Sequence, residues 1–285
     1  MNEQASTYFV YDPRFAKEEL RRLAIQDQMI ATAMGGVLSE QPDPSVFHQV
    51  LDIGCGTGGW IIEAAKQYPT MHFTGIDISN RMIEHARAQT KGNSQVKFQQ
   101  MDALRRLAFP SDSFDLVNLR FGISFIRTWE WPEVICEMLR VTKPGGVLRL
   151  TDARIVQESS SPALKTFQLQ MVCALAWAGH INGNDEGGIT GQLAPWLQRY
   201  GARQIQTKSY HTRYQAGTKE GKMYSENVSH AMKTLKAFLQ KWVGVTDYEQ
   251  LCQMAREQMS QPDFYAVWDL LTVWGRKRAE IRLTH

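Results

Sequence analysis

Residues 50–60 read Val-Leu-Asp-Ile-Gly-Cys-Gly-Thr-Gly-Gly-Trp: a short apolar run holding one acid, then a loop dominated by glycine. Val50, Leu51 and Ile53 predict a short buried strand running into the turn. Glycine carries no Cβ, so the backbone N–H groups of the loop, and the first turn of a helix after it, can approach a ligand closely. Gly54, Gly56 and Gly59 also satisfy G-x-G-x-x-G, so the loop alone admits a dinucleotide as readily as another cofactor.

Working outward, strand and helix patterns alternate: helix over 59–68, strand 73–78, helix 80–89, strands 96–101 and 114–119, helix 130–141 and a fifth strand 147–151. Such alternation predicts a parallel sheet with helices on both faces. Upstream, apolar residues recur at helical spacing over 12–38, stopped by Gly35-Gly36. Downstream the alternation loosens into helices 161–178 and 193–200, a strand 202–210, helices 226–243 and 248–259, and a last strand 264–274. The expected fold is α/β: a doubly wound, mostly parallel seven-stranded sheet with an N-terminal helix and helical lid insertions. The expected division is an N-terminal cap (1–45), a nucleotide-binding core (46–155) and a remainder (156–285) whose segments 156–188 and 211–261 form the lid.

A chain of 285 residues, 43% of them hydrophobic, can bury a full core. Its net charge of +3 arises from 32 basic and 29 acidic residues. No strong field invites nucleic acid or an anionic membrane, and a small-molecule partner is expected. No apolar run approaches the ~20 residues of a membrane span, and the first residues lack a signal-peptide pattern, so a cytoplasmic location is expected. The four cysteines (Cys55, Cys136, Cys173, Cys252) form no C-x-x-C pair, and the seven histidines show no ligand spacing; no protein-bound metal is expected.

Three acids around the loop separate the cofactor readings. Asp52 precedes the first glycine by two residues, where a carboxylate receives an ammonium but repels a pyrophosphate, which favours S-adenosylmethionine. Asp77 ends the second strand, where an acid accepts ribose hydroxyls from either cofactor. Asp102 follows the third strand, where it can meet an adenine amino group or be an ordinary loop aspartate.

VLDIGCGTGGW (50–60), FTGIDIS (73–79), FQQMDA (98–103), FDLVNLRF (114–121) and RVTKPGGVLRL (140–150) together resemble the successive motifs of class I S-adenosylmethionine-dependent methyltransferases. The resemblance implies that Gly54, Cys55, Gly56, Thr57 and Gly58 hold the methionine moiety, Asp77 the ribose, and Asp102 with Ala103 the adenine, with Ile78 and Met82 packed on the adenosine. DPRFAKEELRRLAIQDQMI (12–30) is similar to the lead-in of the LaeA-like methyltransferases, which would place Tyr8, Tyr11, Arg22 and Gln26 over the cofactor. A solvated amphipathic helix is the alternative for Arg22 and Gln26.

Methyl transfer is an in-line displacement that needs an aligned, water-free acceptor, and the fold does not fix its catalytic group. The segment 118–122 lacks the N/D-P-P-Y signature of enzymes that methylate planar nitrogens, and the aspartate of magnesium-dependent catechol-type enzymes. Arg120 can bind the cofactor carboxylate or a substrate anion, or form a structural ion pair. Phe121 lies beside it as a further contact. Asp152, His180 and His211 are candidates to orient or deprotonate an acceptor, against the ordinary reading of such residues as structural or solvated. Trp129, with Trp131, Trp177, Trp196 and Trp242, is expected near the mouth, where aromatic walls suit a flat or cationic acceptor. The expected function is methylation of a small organic acceptor at O, N or C. The alternatives are a LaeA-like regulatory protein that keeps the pocket, and a cofactor-dependent cyclase.

Overall fold

The computed structural model describes residues 16–279. Helix α1 (Ala16–Met34) precedes a core of β1 (Gln49–Ile53), α2 (Gly59–Gln67), β2 (His72–Asp77), α3 (Asn80–Gln89), β3 (Val96–Gln100), β4 (Phe114–Arg120), α4 (Trp131–Val141) and β5 (Thr142–Ala153). Then come α5 (Pro162–Ala178), α6 (Thr190–Arg199), β6 (Arg203–Gln215), α7 (Lys219–Thr234), α8 (Lys236–Trp242), α9 (Tyr248–Met259) and β7 (Tyr265–Arg276). The seven strands form one sheet in the order β3-β2-β1-β4-β5-β7-β6. The first five pair in parallel, while β7 runs antiparallel to β5 and β6 to β7. This is the doubly wound seven-stranded sheet read from the sequence. Its strand order reverses between β1 and β4, the switch point outside whose carboxyl ends such sheets bind ligands.

The strand rows explain the two cores. Val50, Leu116 and Val147 share one face with Val37, Leu38, Trp60 and Ile61. Leu51, Ile53, Leu119 and Leu150 share the other with Trp131, Ile135, Leu175 and Leu193. Because side chains alternate with a period of two, both faces of these central strands carry buried apolar rows, as parallel strands covered twice require. Local chemistry sets the helix starts: the Ser79 hydroxyl accepts the Met82 N–H, and the Ser161 hydroxyl accepts that of Leu164.

Three elements differ from the sequence expectation. Strand β6 runs to Gln215, because its ladder with β7 continues in register to Gln215 opposite Tyr265. The insertion therefore begins at 216, and His211 lies inside a strand. The single helix expected over 226–243 starts earlier, at Lys219, where the Thr218 hydroxyl accepts the Gly221 N–H, and it breaks at Leu235 into α7 and α8. Strand β5 begins at Thr142, ahead of Pro144-Gly145-Gly146, and that stretch is held to the end of the neighbouring β7 by bonds from Gly145 N–H to Lys277 O and from Lys277 N–H to Gly146 O. Among the described residues no helix is long and apolar enough to cross a membrane.

Candidate active site

The floor of the site is the loop between β1 and α2. Gly54 and Gly58 have φ of +67° and +77°, and a Cβ would sit 2.9 Å from the Phe125 ring at Gly54 and 2.6 Å from that of Phe98 at Gly58. Both positions therefore require glycine on grounds of backbone and of space. Asp77, at the end of β2, holds the loop to its neighbour: one carboxylate oxygen accepts the Gly56 N–H at 3.0 Å and the other the Ser79 N–H at 2.8 Å.

Above the loop lies a cavity of about 590 Å³, within the usual size of small-molecule sites. Gly54, Cys55, Gly56, Thr57, Asp77, Ile78, Met82, Asp102, Ala103, Arg120 and Phe121 line it, as do Arg22 and Gln26 of α1. The structure thus brings together most of the residues singled out above. Phe121 turns the chain at φ +55°, a conformation rare outside glycine and asparagine, and its N–H is held by Thr151 O. Asp102 accepts the Leu104 N–H and faces the exposed Arg105 at 3.7 Å.

Two named residues lie under the cavity instead of lining it. Gly58 caps α2, its N–H bonded to Cys55 O. Asp52 is buried, with Oδ1 accepting from Asn118 Nδ2 at 2.7 Å and Oδ2 without a partner. Burial pushes the Asp52 carboxyl up to about 6, against the opposing pull of the Arg120 charge and the Asn118 bond. The Cys55 thiol is pushed well above its usual value by burial and by the charges of Asp52 and Asp77, so it contributes backbone and shape, not a thiolate.

The roof comes from opposite ends of the chain. Glu19, Leu23 and Asp27 of α1 join Arg22 and Gln26, while Ala231 and Thr234 of α7, with Leu235, close the other side. Glu19 grips Arg22 through two bonds of 2.9 and 2.6 Å. Burial raises the Glu19 carboxyl, but the Arg22 guanidinium outweighs it and the net shift is downward. Asp27 pairs with Arg120 at 2.9 Å, tying α1 to β4. The Arg120 side chain is only 10% exposed, and its Nε has no partner. Of this wall only Arg22 and Gln26 were legible in the sequence, through the resemblance; the 19-22-23-26-27 spacing on one helical face could have found the rest, and nothing local marked 231–235.

The catalytic candidates sit elsewhere. Asp152 is buried behind the turn after β4, accepting the Ile123 and Ala153 N–H groups, and burial pushes it up to about 7. Its stabilising contribution is complete below the ordinary value of 3.8 and is lost as pH rises through about 7, since the unfolded chain ionises first. Carbon-13 NMR of this carboxyl is expected to show a midpoint near 7; one at its ordinary 3.8 would contradict the buried setting. His180 is buried against Ile126 O and held neutral, its value lowered to about 4 by burial. His211 is exposed on β6 and pairs with Asp269 at 2.7 Å. None of the three lines the cavity.

The tryptophans also fall outside it. Trp129 is 61% exposed, lying over Gly179 and beneath the Arg127 guanidinium, and Trp131 is fully buried, stacked on Trp196 at 4.8 Å. Residues 156–188 supply no lining side chain. Tyr8 and Tyr11 lie outside the described residues.

Residues 50–146 match the sequence profile of a methyltransferase domain family. A demethylmenaquinone methyltransferase from Staphylococcus aureus is 36% identical over 121 residues, 42% of this chain and 46% of that protein. The match thus spans about half the length of the curated relative. The YcgJ protein from Bacillus subtilis superposes with a TM-score of 0.54 at 22% identity, covering 87% of this chain and 99% of that one. Phosphoethanolamine N-methyltransferase 2 from Haemonchus contortus, solved with phosphomonomethylethanolamine and S-adenosylhomocysteine, gives 0.53 at 19%, covering 89% and 52%. The two solved structures bear on the fold, and the profile match bears on the stretch that carries the glycine loop. Residues 50–146 thus match a methyltransferase domain, set in a doubly wound, Rossmann-like sheet with a cavity above its glycine loop.

Proposed function

We propose that this chain transfers a methyl group from S-adenosylmethionine to a small organic acceptor with an apolar body. The observation that carries the reading is one cavity shared by the motif residues on its floor and by α1 and α7 on its roof. The residues fit the cofactor chemically. Arg120, on the lining with Nε unpaired, would take the carboxylate of an amino-acid end, and Asp52, beneath the loop with Oδ2 unpaired, would draw its ammonium toward the floor. Asp77, on the lining at the end of β2, would take the ribose, since a carboxylate there accepts hydroxyl donors. Asp102 and Ala103 would take the adenine, beside Ile78 and Met82.

When bound, the cofactor supplies an electrophilic methyl on a sulfonium. The protein's own task is to bind, orient and exclude water. Leu23, Phe121, Ile123, Phe125, Ala231 and Leu235 give the remaining wall an apolar character. Each acid on the lining is engaged: Glu19 by Arg22, Asp27 by Arg120, Asp77 and Asp102 by backbone N–H groups. Among the described lining residues there is no histidine, lysine or tyrosine. On this reading the described walls contribute binding and orientation of the acceptor's nucleophilic atom.

The test is to incubate the purified chain with S-adenosylmethionine and a panel of phenols, enols, amines and thiols, reading S-adenosylhomocysteine and methylated product by mass spectrometry. Demethylmenaquinone, the acceptor in the Staphylococcus relative's name, belongs in the first panel because it is apolar. Tight cofactor binding with no turnover across the panel would favour a regulatory role, and an unmethylated, cyclised product would favour a cyclase. Binding of NAD in place of S-adenosylmethionine would overturn the reading. Ala231→Trp, which fills the roof, is expected to lower kcat/KM for the acceptor about tenfold or more while moving cofactor affinity less than about twofold. Equal losses in both would place Ala231 over the cofactor instead.

A further inference from the structure

We infer that Asn118 and Arg149 are positioning residues for the cofactor site: a buried chain running from Glu40 through Arg149 and Asn118 fixes the Asp52 carboxylate beneath the glycine loop. The inference rests on the reading that Asp52 meets the cofactor's ammonium.

Asp52, Asn118 and Arg149 are direct partners across β1, β4 and β5, so their side chains form one row on one face of the sheet. The rows of that face on the amino-terminal side are apolar, with Val50, Leu116 and Val147. Within the polar row every link is short. Asp52 Oδ1 accepts from Asn118 Nδ2 at 2.7 Å, and Asn118 Oδ1 accepts from Arg149 Nη1 at 2.7 Å. Arg149 Nε and Nη2 donate to the two Glu40 oxygens at 2.7 and 3.2 Å. Asn118, Arg149 and the Glu40 side chain are wholly buried, and Asp52 is 2% exposed.

A buried ion pair is a poor source of stability, because apolar side chains of like volume pack as well without the desolvation cost. What they cannot do is orient an amide. A guanidinium only donates and a carboxylate only accepts, so one orientation of the Asn118 amide satisfies both neighbours: oxygen toward Arg149, nitrogen toward Asp52. With that orientation set, Asp52 Oδ1 is occupied and Oδ2 is left over. Two residues further along the same strands stand Gly54 and Arg120, which line the cavity. Glu40, at the far end, belongs to the segment that follows α1, and it also accepts from Tyr210 of β6 at 3.5 Å.

Charges from every side act on Asp52. Arg120 of β4 and Arg149 of β5 favour its ionised form, Asp27 of α1 opposes it, and the Cys55 thiol of the loop feels both its charge and that of Asp77 of β2. Affinity that needs the ionised carboxylate is full above its titration near 6 and falls as the pH drops through it. Loss of Arg149 moves that fall to higher pH.

The experiment measures S-adenosylmethionine affinity calorimetrically across a pH series for the wild-type chain, Asp52→Asn and the double variant Glu40→Met/Arg149→Met. The double variant removes both buried charges together and leaves an apolar pair of similar volume in their place. It is expected to bind about tenfold more weakly at neutral pH, the worth of one charge-assisted hydrogen bond, with the acid-side fall moved to higher pH. A merely structural pair would leave the pH profile in place. Asn118→Ala, which spares the Glu40–Arg149 pair, carries the same expectation should the double variant not fold. Wild-type affinity and profile in both variants would overturn the inference alone. Wild-type affinity in Asp52→Asn would instead remove the ammonium reading on which it rests.

Discussion

Asp77→Ala is expected to weaken S-adenosylmethionine binding by on the order of 100-fold or more, as two hydrogen bonds to a charged acceptor are each worth about 1.5–3 kcal/mol. The loss has two sources in the structure. The carboxylate is the ribose acceptor under the proposed function, and it also braces the loop through the Gly56 N–H. Asp77→Asn separates them, since its amide oxygen can accept one backbone N–H while the charge is gone. Calorimetry gives the affinity, and circular dichroism shows whether the sheet is intact. Unchanged affinity in Asp77→Ala would remove the ribose assignment.

Glu40→Ala is expected to be the most damaging single change to stability. It leaves the Arg149 guanidinium buried at full charge with only the Asn118 oxygen for company, a situation that costs about 3–5 kcal/mol. For a chain of this size that lowers the thermal midpoint by roughly 10 °C. The contrast with the double methionine variant is the informative part. If Glu40→Ala melts like the wild type, the guanidinium has found water or another acceptor and the row is not sealed.

How far the sequence carried these conclusions depended on whether a signal was local. Each strand end on the floor, with Gly54–Gly56, Asp77 and Asp102–Ala103, is announced by its own motif within a few residues, and the structure gathers them at one sheet edge. The alternation of 202–210 was legible, but its continuation through His211, Thr212 and Arg213 reads as loop. It is an edge strand, pairing with β7 alone, and its exposed positions carry polar residues. The roof could not be read at all as a unit. Leu23 and Ala231 meet only because α1 packs along α7, and neither segment names the other. Tryptophan content misled for a related reason: the buried Trp131 stacks on the half-buried Trp196 away from the cavity, and abundance says nothing about which rings face a ligand.

The buried Glu40–Arg149 row was likewise invisible, because an arginine in a strand reads as a solvent-facing residue until its neighbours are known. In Val147-Leu148-Arg149-Leu150 the apolar run already hinted that the position is covered on both faces. What it could not reveal was the acid, contributed by a short segment far earlier in the chain.

The ladder between β6 and β7 stays in register until Gln215 faces Tyr265, and the Ala216 N–H closes it on Phe264 O. The chain therefore leaves the sheet for α7, α8 and α9 and re-enters it at the same place. An excursion with adjoining ends can be exchanged, lengthened or pared to a hairpin turn without asking any strand to move. One ceiling can thus be traded for another while the sheet-borne floor beneath it stays as it is.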